Sequence, residues 1–588
     1  MTQKEFTLLN MIRKHGIQSC RWLKDRTGLS VGYISQTMNL FQENGWIDKE
    51  GITEAGSQEL KPYRVESAVI MAAGTSSRFI PISLEKPKGL LTVKGEVLIE
   101  RQIRQLREAG IGKIVLVLGY KKEAFFYLED KFEDIVIIVN PKYDTRNNTF
   151  TLYLAQQYIG NTYICSSDNY FTENPFEPYV YRSYYSAVHV DRKMNEWYMI
   201  PDSRMNISRI VRNDERGYIM MGHVYWDRAF SSAMMELINR DQNTGVYDTA
   251  LWEQILADFL KKLPPMEIRV YPEGVIHEFD SLEELRRFDE QYISRTNSRI
   301  IRNIVGILHC REEEIRDFRI IKKGLSNTSF RFEVNQQSYV FRYSESCEGV
   351  MINRSHEKRA QELARTIGAD PTFLYLDEAE GWKLSRYVEN GRKPDYGNAG
   401  DLKRVAALLR KLHQQKMTVS WSFLPWERTQ NMELLLRSEK DGISDPGFDA
   451  LEESIHRVYT ACAEDGTEKC FCHCDPNDSN WIMTEDRVIL IDWEYAGTAD
   501  PGCDVGSFIL NSGWKPEEAM AFIREYCGGE LSDAQAIHYL AYTAVMAFYW
   551  YVWALLQESN GVIMGEGIYT WRKTAKDYSR YLVEQYGL

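Results

Sequence analysis

The sequence predicts a multidomain protein of mixed α/β and α+β class, with a small helical module ahead of two larger units. Three observations carry this. The chain has 588 residues, too many for one hydrophobic core, so about two to four domains are expected. Residues from about 65 to 290 alternate strand-like and helix-like patterns. After about 297 a short β-rich stretch gives way to long helices.

Composition narrows the class. Hydrophobic residues are 44% and charged residues 26%, a globular balance. A formal net charge of -13 argues against wrapping nucleic acid, though one local basic face stays open. Ten cysteines lack regular pairing, and MTQKEFTLLN has no apolar leader, so a cytoplasmic location is expected. The strongest apolar runs, from Ile114 and Ile135, are strand-length and fall short of the roughly 20 residues that cross a bilayer. No membrane partner is expected.

Residues 1–62 read as short helices and a wing. Phe6 to His15 and Ser19 to Arg26 have helical apolar spacing. Gly28-Leu29-Ser30 makes a turn, and Ser30 caps a helix whose stripe is Tyr33, Ile34, Met38 and Phe41. A short strand at Trp46-Ile47 and ITEAGSQEL complete the pattern, which resembles a winged helix-turn-helix. DNA is the partner that resemblance allows; a dimerisation or ligand-sensing module is the other reading. No Lys or Arg lies between Val31 and Gln42, which weighs against phosphate contacts.

Residues 63–292 form the α/β unit. VESAVIMAAG is a strand entering a tight loop, VLIERQIRQLREAGI an amphipathic helix, and KIVLVLGY a buried strand. KEAFFYLEDKF then reads as a helix and DIVIIVN as a strand. The alternation predicts a largely parallel, Rossmann-like sheet covered on both faces. Ala72, Ala73 and Gly74 end the first strand, and small residues there let backbone N–H groups approach a phosphate chain. Arg78 and Lys88 follow at a spacing that lets both cations reach one triphosphate. This stretch resembles the sugar-nucleotide and phosphocholine nucleotidyltransferases, which carry A-A-G-x-G-x-R and then K-P-K. Ser76 stands here in place of the second Gly.

Asp168 follows the strand YICSS, and Asp280 ends HEFD just before a helix. Taken singly, each also fits turn or helix-cap duty. In the resembling family two such aspartates hold Mg²⁺, a cation suited to hard carboxylate oxygens. NPKYDTRNNTF, with Asn147 and Asn148, resembles the phosphocholine cytidylyltransferase branch. The implied reaction joins phosphocholine to the α-phosphorus of CTP and releases pyrophosphate. Trp197, Tyr198, Tyr225, Trp226 and Tyr247 are available for a cationic head group.

Residues 297–588 predict a bilobal, protein-kinase-like domain. HCDPNDSN, from His473 to Asn480, has the H-x-D-x-x-x-x-N spacing of a kinase catalytic loop. Asp475 is placed to orient an acceptor hydroxyl and take its proton, and Asn480 to ligate Mg²⁺. Asp492, ending the strand VILID, takes the second metal-ligand position. Upstream, Gly324 and Asn327, with Thr328, suit a turn over ATP. Arg342 stands where kinases use Lys, with Glu357 as its expected partner and Glu362 as the alternative. Cys470, Cys472 and Cys474 alternate along one strand face without the second pair that a zinc site needs.

With LIDWEYAG and DPGCDVGSF, which contains Asp504, the loop resembles the choline kinases and their aminoglycoside-phosphotransferase relatives. Two features point to choline: Glu494-Tyr495 after Asp492, and the W-x-x-W of Trp550 and Trp553, flanked by Tyr549 and Tyr551. A quaternary ammonium cannot donate hydrogen bonds, so π faces and a carboxylate must hold it. The resemblances imply a bifunctional enzyme that phosphorylates choline with ATP and couples phosphocholine to CTP, with Mg²⁺ at both sites. The alternatives are the same chemistry on ethanolamine or another small alcohol with a different nucleotide, or a DNA-binding regulator with enzymatic sensor domains.

Overall fold

The computed structural model describes residues 1–212, 216–279, 281–290, 292, 298–323, 327–344, 352–439, 442–463 and 465–587. Asp280 and Gly324 lie outside the described residues. The chain divides into two compact units, Met1–Glu313 and Glu314–Leu588. The helix Arg299–Leu308, expected at the head of the third segment, therefore belongs to the first unit. There the Glu85 carboxylate accepts the Arg299 N–H at 2.8 Å and the Ile300 N–H at 3.2 Å, an anion at a helix N-terminus.

The first unit opens with helices Gln3–His15, Cys20–Thr27 and Val31–Glu43, N-capped by Thr2, Ser19 and Ser30. The stripe of the third helix buries Ile34, Thr37 and Phe41. The strand expected at Trp46-Ile47 is a single bridge from Ile47 to Ile52, and a helix follows over Glu54–Leu60. Phe6 packs on the rings of Tyr63 and Tyr181, and the Arg13 guanidinium lies 4.5 Å from the Tyr179 ring centroid. These contacts seat the module on the α/β part of the same unit.

Four parallel strands lie side by side in the order Thr162–Ser166, Ser67–Ala72, Lys113–Leu118 and Ile135–Val139. Along Ser67–Ala72 the side chains alternate between two cores: Ala68, Ile70 and Ala72 enter one, Val69 and Met71 the other. The helix Leu98–Glu108 covers the first face with Ile99, Ile103 and Leu106. Arg228–Thr244 covers the second with Phe230, Met234 and Ile238. The expected helix KEAFFYLEDKF is two short turns, Lys122–Phe125 and Tyr127–Lys131. Parallel strands deliver their carboxyl ends to one edge, and the Ala72–Gly74 loop and Asp168 both emerge there.

The second unit begins with an antiparallel sheet in the order Ile315–Lys323, Asn327–Val334, Gln337–Ser344, Lys383–Arg386, Phe373–Leu376. The helix Arg354–Ile367 follows its third strand. A helical lobe comes next, around Asp533–Ser559. This helix corrects the expectation that apolar runs are only strand-length. It is long and apolar enough to cross a membrane, and 89% of its apolar window is buried. Its apolar residues surround the whole helix, as in the core of a large domain.

Candidate active sites

In the first unit the loop after Ser67–Ala72 turns through Ser76, whose φ of 50° is left-handed, into short turns at Ser77–Phe79 and Lys88–Leu90. Lys88 Nζ lies 2.6 Å from Asp168 Oδ2, with side-chain exposures of 10% and 21%. A cavity of about 100 Å³ is lined by Ala72, Gly74, Ser76, Lys88, Gly89 and Asp168, among others. Gly89 permits this closeness: a Cβ there would lie 2.9 Å from Ser167 Cβ. Asp168 Oδ1 is buried with no hydrogen-bond partner. That orphaned hard oxygen, beside a loop of backbone N–H groups, fits a divalent cation. Arg78 is exposed and does not line the cavity, so Lys88 and Asp168 are brought together and Arg78 stands outside them.

Asn147 caps the helix Asn148–Leu154. Of the candidate aromatics, Tyr198, Tyr225 and Trp226 are core, at most 1% exposed. Trp197 stacks under the Arg212 guanidinium at 4.7 Å, and Tyr247 donates to Asp258 at 2.8 Å in a separate cavity with Leu237 and Phe259. The positioning of Asp168 depends on residues that the sequence reading missed. Gln102 Nε2 donates to Ser166 O at 3.1 Å, Gln105 Nε2 to Phe171 O at 3.1 Å, and Arg101 Nε to Phe171 O at 3.0 Å. They clamp the main chain on both sides of Asp168. The available signal was two glutamines set into an apolar helix face.

In the second unit the strand Cys470–Cys472 pairs with Gly497–Ala499 and leads into His473, Cys474 and Asp475. Asp504 is wholly buried and accepts the backbone N–H of His473 at 3.0 Å and of Cys474 at 2.6 Å. Its Oδ2 also meets His413 Nε2 at 2.9 Å. His473 Nδ1 accepts the Asp475 N–H at 3.2 Å, so Nε2 carries the proton given to Ile491 O at 2.9 Å. Asp475 accepts from Asn477 Nδ2 at 3.0 Å and Asn480 Nδ2 at 3.3 Å. Burial, with the Asp492 and Glu494 charges, pushes its carboxyl up to about 8. His413 uses both ring nitrogens, the other on Tyr526, although Cys470 and Cys472 lie close by.

Arg342 spans several carboxylates. Its guanidinium lies 2.7 Å from Glu357, 2.9 Å from Asp492 and 3.7 Å from Glu494. Glu357 is thus its helix partner, while Glu362 faces Arg359 at the surface. Lys383, overlooked in the sequence, is the register partner of Arg342 across the sheet. Its Nζ lies 3.3 Å from Asp492 and 3.8 Å from Glu357. Burial raises the Asp492 carboxyl, but Lys383 and Arg342 outweigh it and hold it below the ordinary range. Arg354, also overlooked, reaches Glu357 at 2.6 Å and Glu494 at 3.7 Å.

One cavity of about 480 Å³ joins these groups to aromatic rings; Asn327, Arg342, Asp475, Asn480, Asp492 and Glu494 line it with Tyr495, Trp550 and Trp553. Trp550 meets Trp553 at 5.5 Å and 82°, and Tyr495 at 5.5 Å and 85°. Trp571, missed in the sequence, adds a ring 6.3 Å from Trp550 in the same cavity. Tyr549 is core and Tyr551 donates to Asp445 at 2.8 Å. Glu494 lines the cavity but lies at its charged end, near Arg342. The oxygens of Asp492 and Asn480 at that end are donors that suit a hard cation.

Residues 68–164 match the MobA-like NTP transferase domain, and residues 317–541 match the Phosphotransferase enzyme family. The chain is 32% identical over 227 residues to the choline-phosphate cytidylyltransferase of Streptococcus pneumoniae, covering 38% of this chain and 96% of the relative. It is 29% identical over 232 residues to the 2-aminoethylphosphonate cytidylyltransferase of Lancefieldella rimae, covering 39% and 93%. The crystal structure of choline kinase LicA from Streptococcus pneumoniae is 22% identical, with a TM-score of 0.41, covering 48% of this chain and 98% of that one. Through its first unit the chain belongs to the choline-phosphate cytidylyltransferase family, and residues 317–541 add a match to the Phosphotransferase enzyme family.

Proposed function

We propose that the chain makes CDP-choline in two steps, phosphorylating choline with ATP and then coupling phosphocholine to CTP. One observation carries the first step: a single cavity is lined both by Asp475, Asn480 and Asp492 and by the Tyr495, Trp550, Trp553 and Trp571 rings. π faces hold a trimethylammonium group, which leaves its hydroxyl to reach Asp475. Asp475 takes the hydroxyl proton as the oxygen attacks the γ-phosphorus, and ADP leaves. Arg342, anchored by Glu357, supplies fixed positive charge beside the phosphates. Asn480 and Asp492 would hold Mg²⁺, which when bound neutralises phosphate charge.

Family membership of the first unit supports the second step. The phosphomonoester oxygen of phosphocholine attacks the α-phosphorus of CTP, and pyrophosphate leaves. Backbone N–H groups of the Ala72–Gly74 loop and the Lys88 ammonium would face the triphosphate, with Arg78 as a second cation for it. Asp168 would hold Mg²⁺, with Asp280 as the second ligand. The strand Ile276–Glu278 pairs with Asn169–Phe171, setting Glu278 opposite Asn169. In this reading residues 1–62 form a winged-helix domain with a dimerisation or ligand-sensing role rather than a DNA-reading one, since its third helix, Val31–Glu43, carries no Lys or Arg.

The test is CDP-choline synthesis from choline, ATP, CTP and Mg²⁺. Asp475→Ala is expected to abolish that flux and leave conversion of supplied phosphocholine intact; Asp168→Ala is expected to accumulate phosphocholine. Loss of both half-reactions in a folded Asp475→Ala variant would sink the two-site assignment. The likeness to a 2-aminoethylphosphonate enzyme favours a second reading, with another amino-alcohol or phosphonate acceptor. An acceptor panel read by product mass separates the two.

A further inference from the structure

We propose that Asp445 is a positioning residue for the ammonium end of the second unit's cavity, acting through the two helices that carry its tryptophans. The inference rests on the choline-kinase reading above. Asp445 lies just before the helix Phe448–Ala463. Its Oδ2 accepts the Tyr551 hydroxyl at 2.8 Å and the Arg572 Nε–H, while Oδ1 accepts Arg572 Nη2 at 2.9 Å and the Gly447 N–H at 2.9 Å. The pairing with Arg572 is therefore two-pronged, which fixes orientation as well as distance.

The sequence neighbours give this carboxylate its significance. Tyr551 follows Trp550 on Asp533–Ser559, and Arg572 follows Trp571 on Glu566–Tyr586. One carboxylate thus grips both helices at the residue next to a cavity-lining tryptophan, and the rings of Trp550 and Trp571 stand 6.3 Å apart at 40°. A π face attracts a cation only when the cation sits over it, so the ring separation sets the affinity. Charge acts in the same direction. An Arg572 guanidinium without its carboxylate would be a bare cation beside the ring meant to receive another cation. The Arg572 hydrogen bonds hold the Asp445 carboxyl down to about 2, so the neutralising charge persists at any working pH. Asp445 touches no substrate in this account; it holds the rings that do.

The experiment measures choline and ATP kinetics in the full chain for Asp445→Asn, Asp445→Glu and Tyr551→Phe. Asp445→Asn is expected to raise the choline KM roughly tenfold, with kcat within about twofold and the ATP KM unchanged. Asp445→Glu, which restores the charge, is expected to recover part of the loss, and Tyr551→Phe to give a smaller rise. A choline KM that stays at the wild-type value in Asp445→Asn overturns the inference. So does a joint fall of kcat and rise of both KM values in the soluble Tyr551→Phe protein, which would mark a general folding role. A wild-type chain that turns over ATP with another acceptor and not with choline overturns the functional reading instead, and this inference with it.

Discussion

Asp504→Asn should damage one half-reaction through the shape of a loop. The carboxylate is fully buried and receives the His473 N–H at 3.0 Å, the Cys474 N–H at 2.6 Å and His413 Nε2 at 2.9 Å. An amide of the same shape keeps one acceptor oxygen but turns an NH₂ group toward a donor. Hydrogen bonds to charged groups contribute about 1.5–3 kcal/mol, and a buried donor left unsatisfied costs about 1–3 kcal/mol. A loss of about 3 kcal/mol is therefore expected in the second unit, lowering its transition by roughly 6–12 °C. The loop also carries Asp475, and a displacement near 1 Å costs on the order of 100-fold in rate. Calorimetry of the full chain is run beside separate assays of choline phosphorylation and of CDP-choline formation from supplied phosphocholine. The first rate should fall and the second should hold. Wild-type melting with wild-type phosphorylation would refute the loop-staple reasoning.

Gly89→Ala should act on the other half-reaction. Its methyl would lie 2.9 Å from Ser167 Cβ, so the residue before Asp168 must move, and CDP-choline formation from supplied phosphocholine is expected to fall by about 100-fold while choline phosphorylation is kept. His538 gives a pH dependence. Burial lowers its proton affinity, but Asp500 and Asp465 outweigh it and the imidazolium is favoured, with contacts of 2.8 Å and 2.6 Å. A raised folded value means the contribution is complete below the unfolded value of about 6.5 and is lost as pH rises through the folded one. Thermal melts from pH 6 to 9 should therefore show the second unit losing stability in the wild type, with a flatter profile in His538→Gln.

What could be read from the sequence divides along a physical line. The loops of Ala72–Gly74 and His473–Asn480 were legible because their chemistry needs fixed residue types at short spacing after a strand. Lys383 and Trp571 were not, since only cross-strand register and helix packing bring them to Asp492 and Trp550; Arg354 stands one helical turn from Glu357, but only the fold brings it to Glu494. The aromatic candidates of the first unit failed for a related reason. Tyr225 and Trp226 are adjacent in one strand and point to opposite faces, yet both are buried because the sheet is covered on both sides. The W-x-x-W of Trp550 and Trp553 was legible, but the full apolar length of the helix Asp533–Ser559 was not, because its tyrosines, tryptophans and His538 interrupt a run that is nonetheless largely buried.

The two cavities also differ in what they can discriminate. The one at Asp168 is small, and Phe125 is the single aromatic residue among its lining groups; the one at Asp475 carries four aromatic rings. The trimethylammonium group survives both reactions, so either unit could in principle select for it. Selection by π faces weakens when the cation is a primary amine, which stays well hydrated and prefers hydrogen-bond acceptors. Discrimination between choline and ethanolamine, as the ratio of kcat/KM values, should therefore exceed discrimination between phosphocholine and phosphoethanolamine by about tenfold. When the first reaction feeds the second, a permissive first unit loses little, because it meets mainly what the selective second unit has made. A second unit that takes both amines equally, beside a first unit that rejects phosphoethanolamine, would place the selecting surface at the wrong end of this scheme.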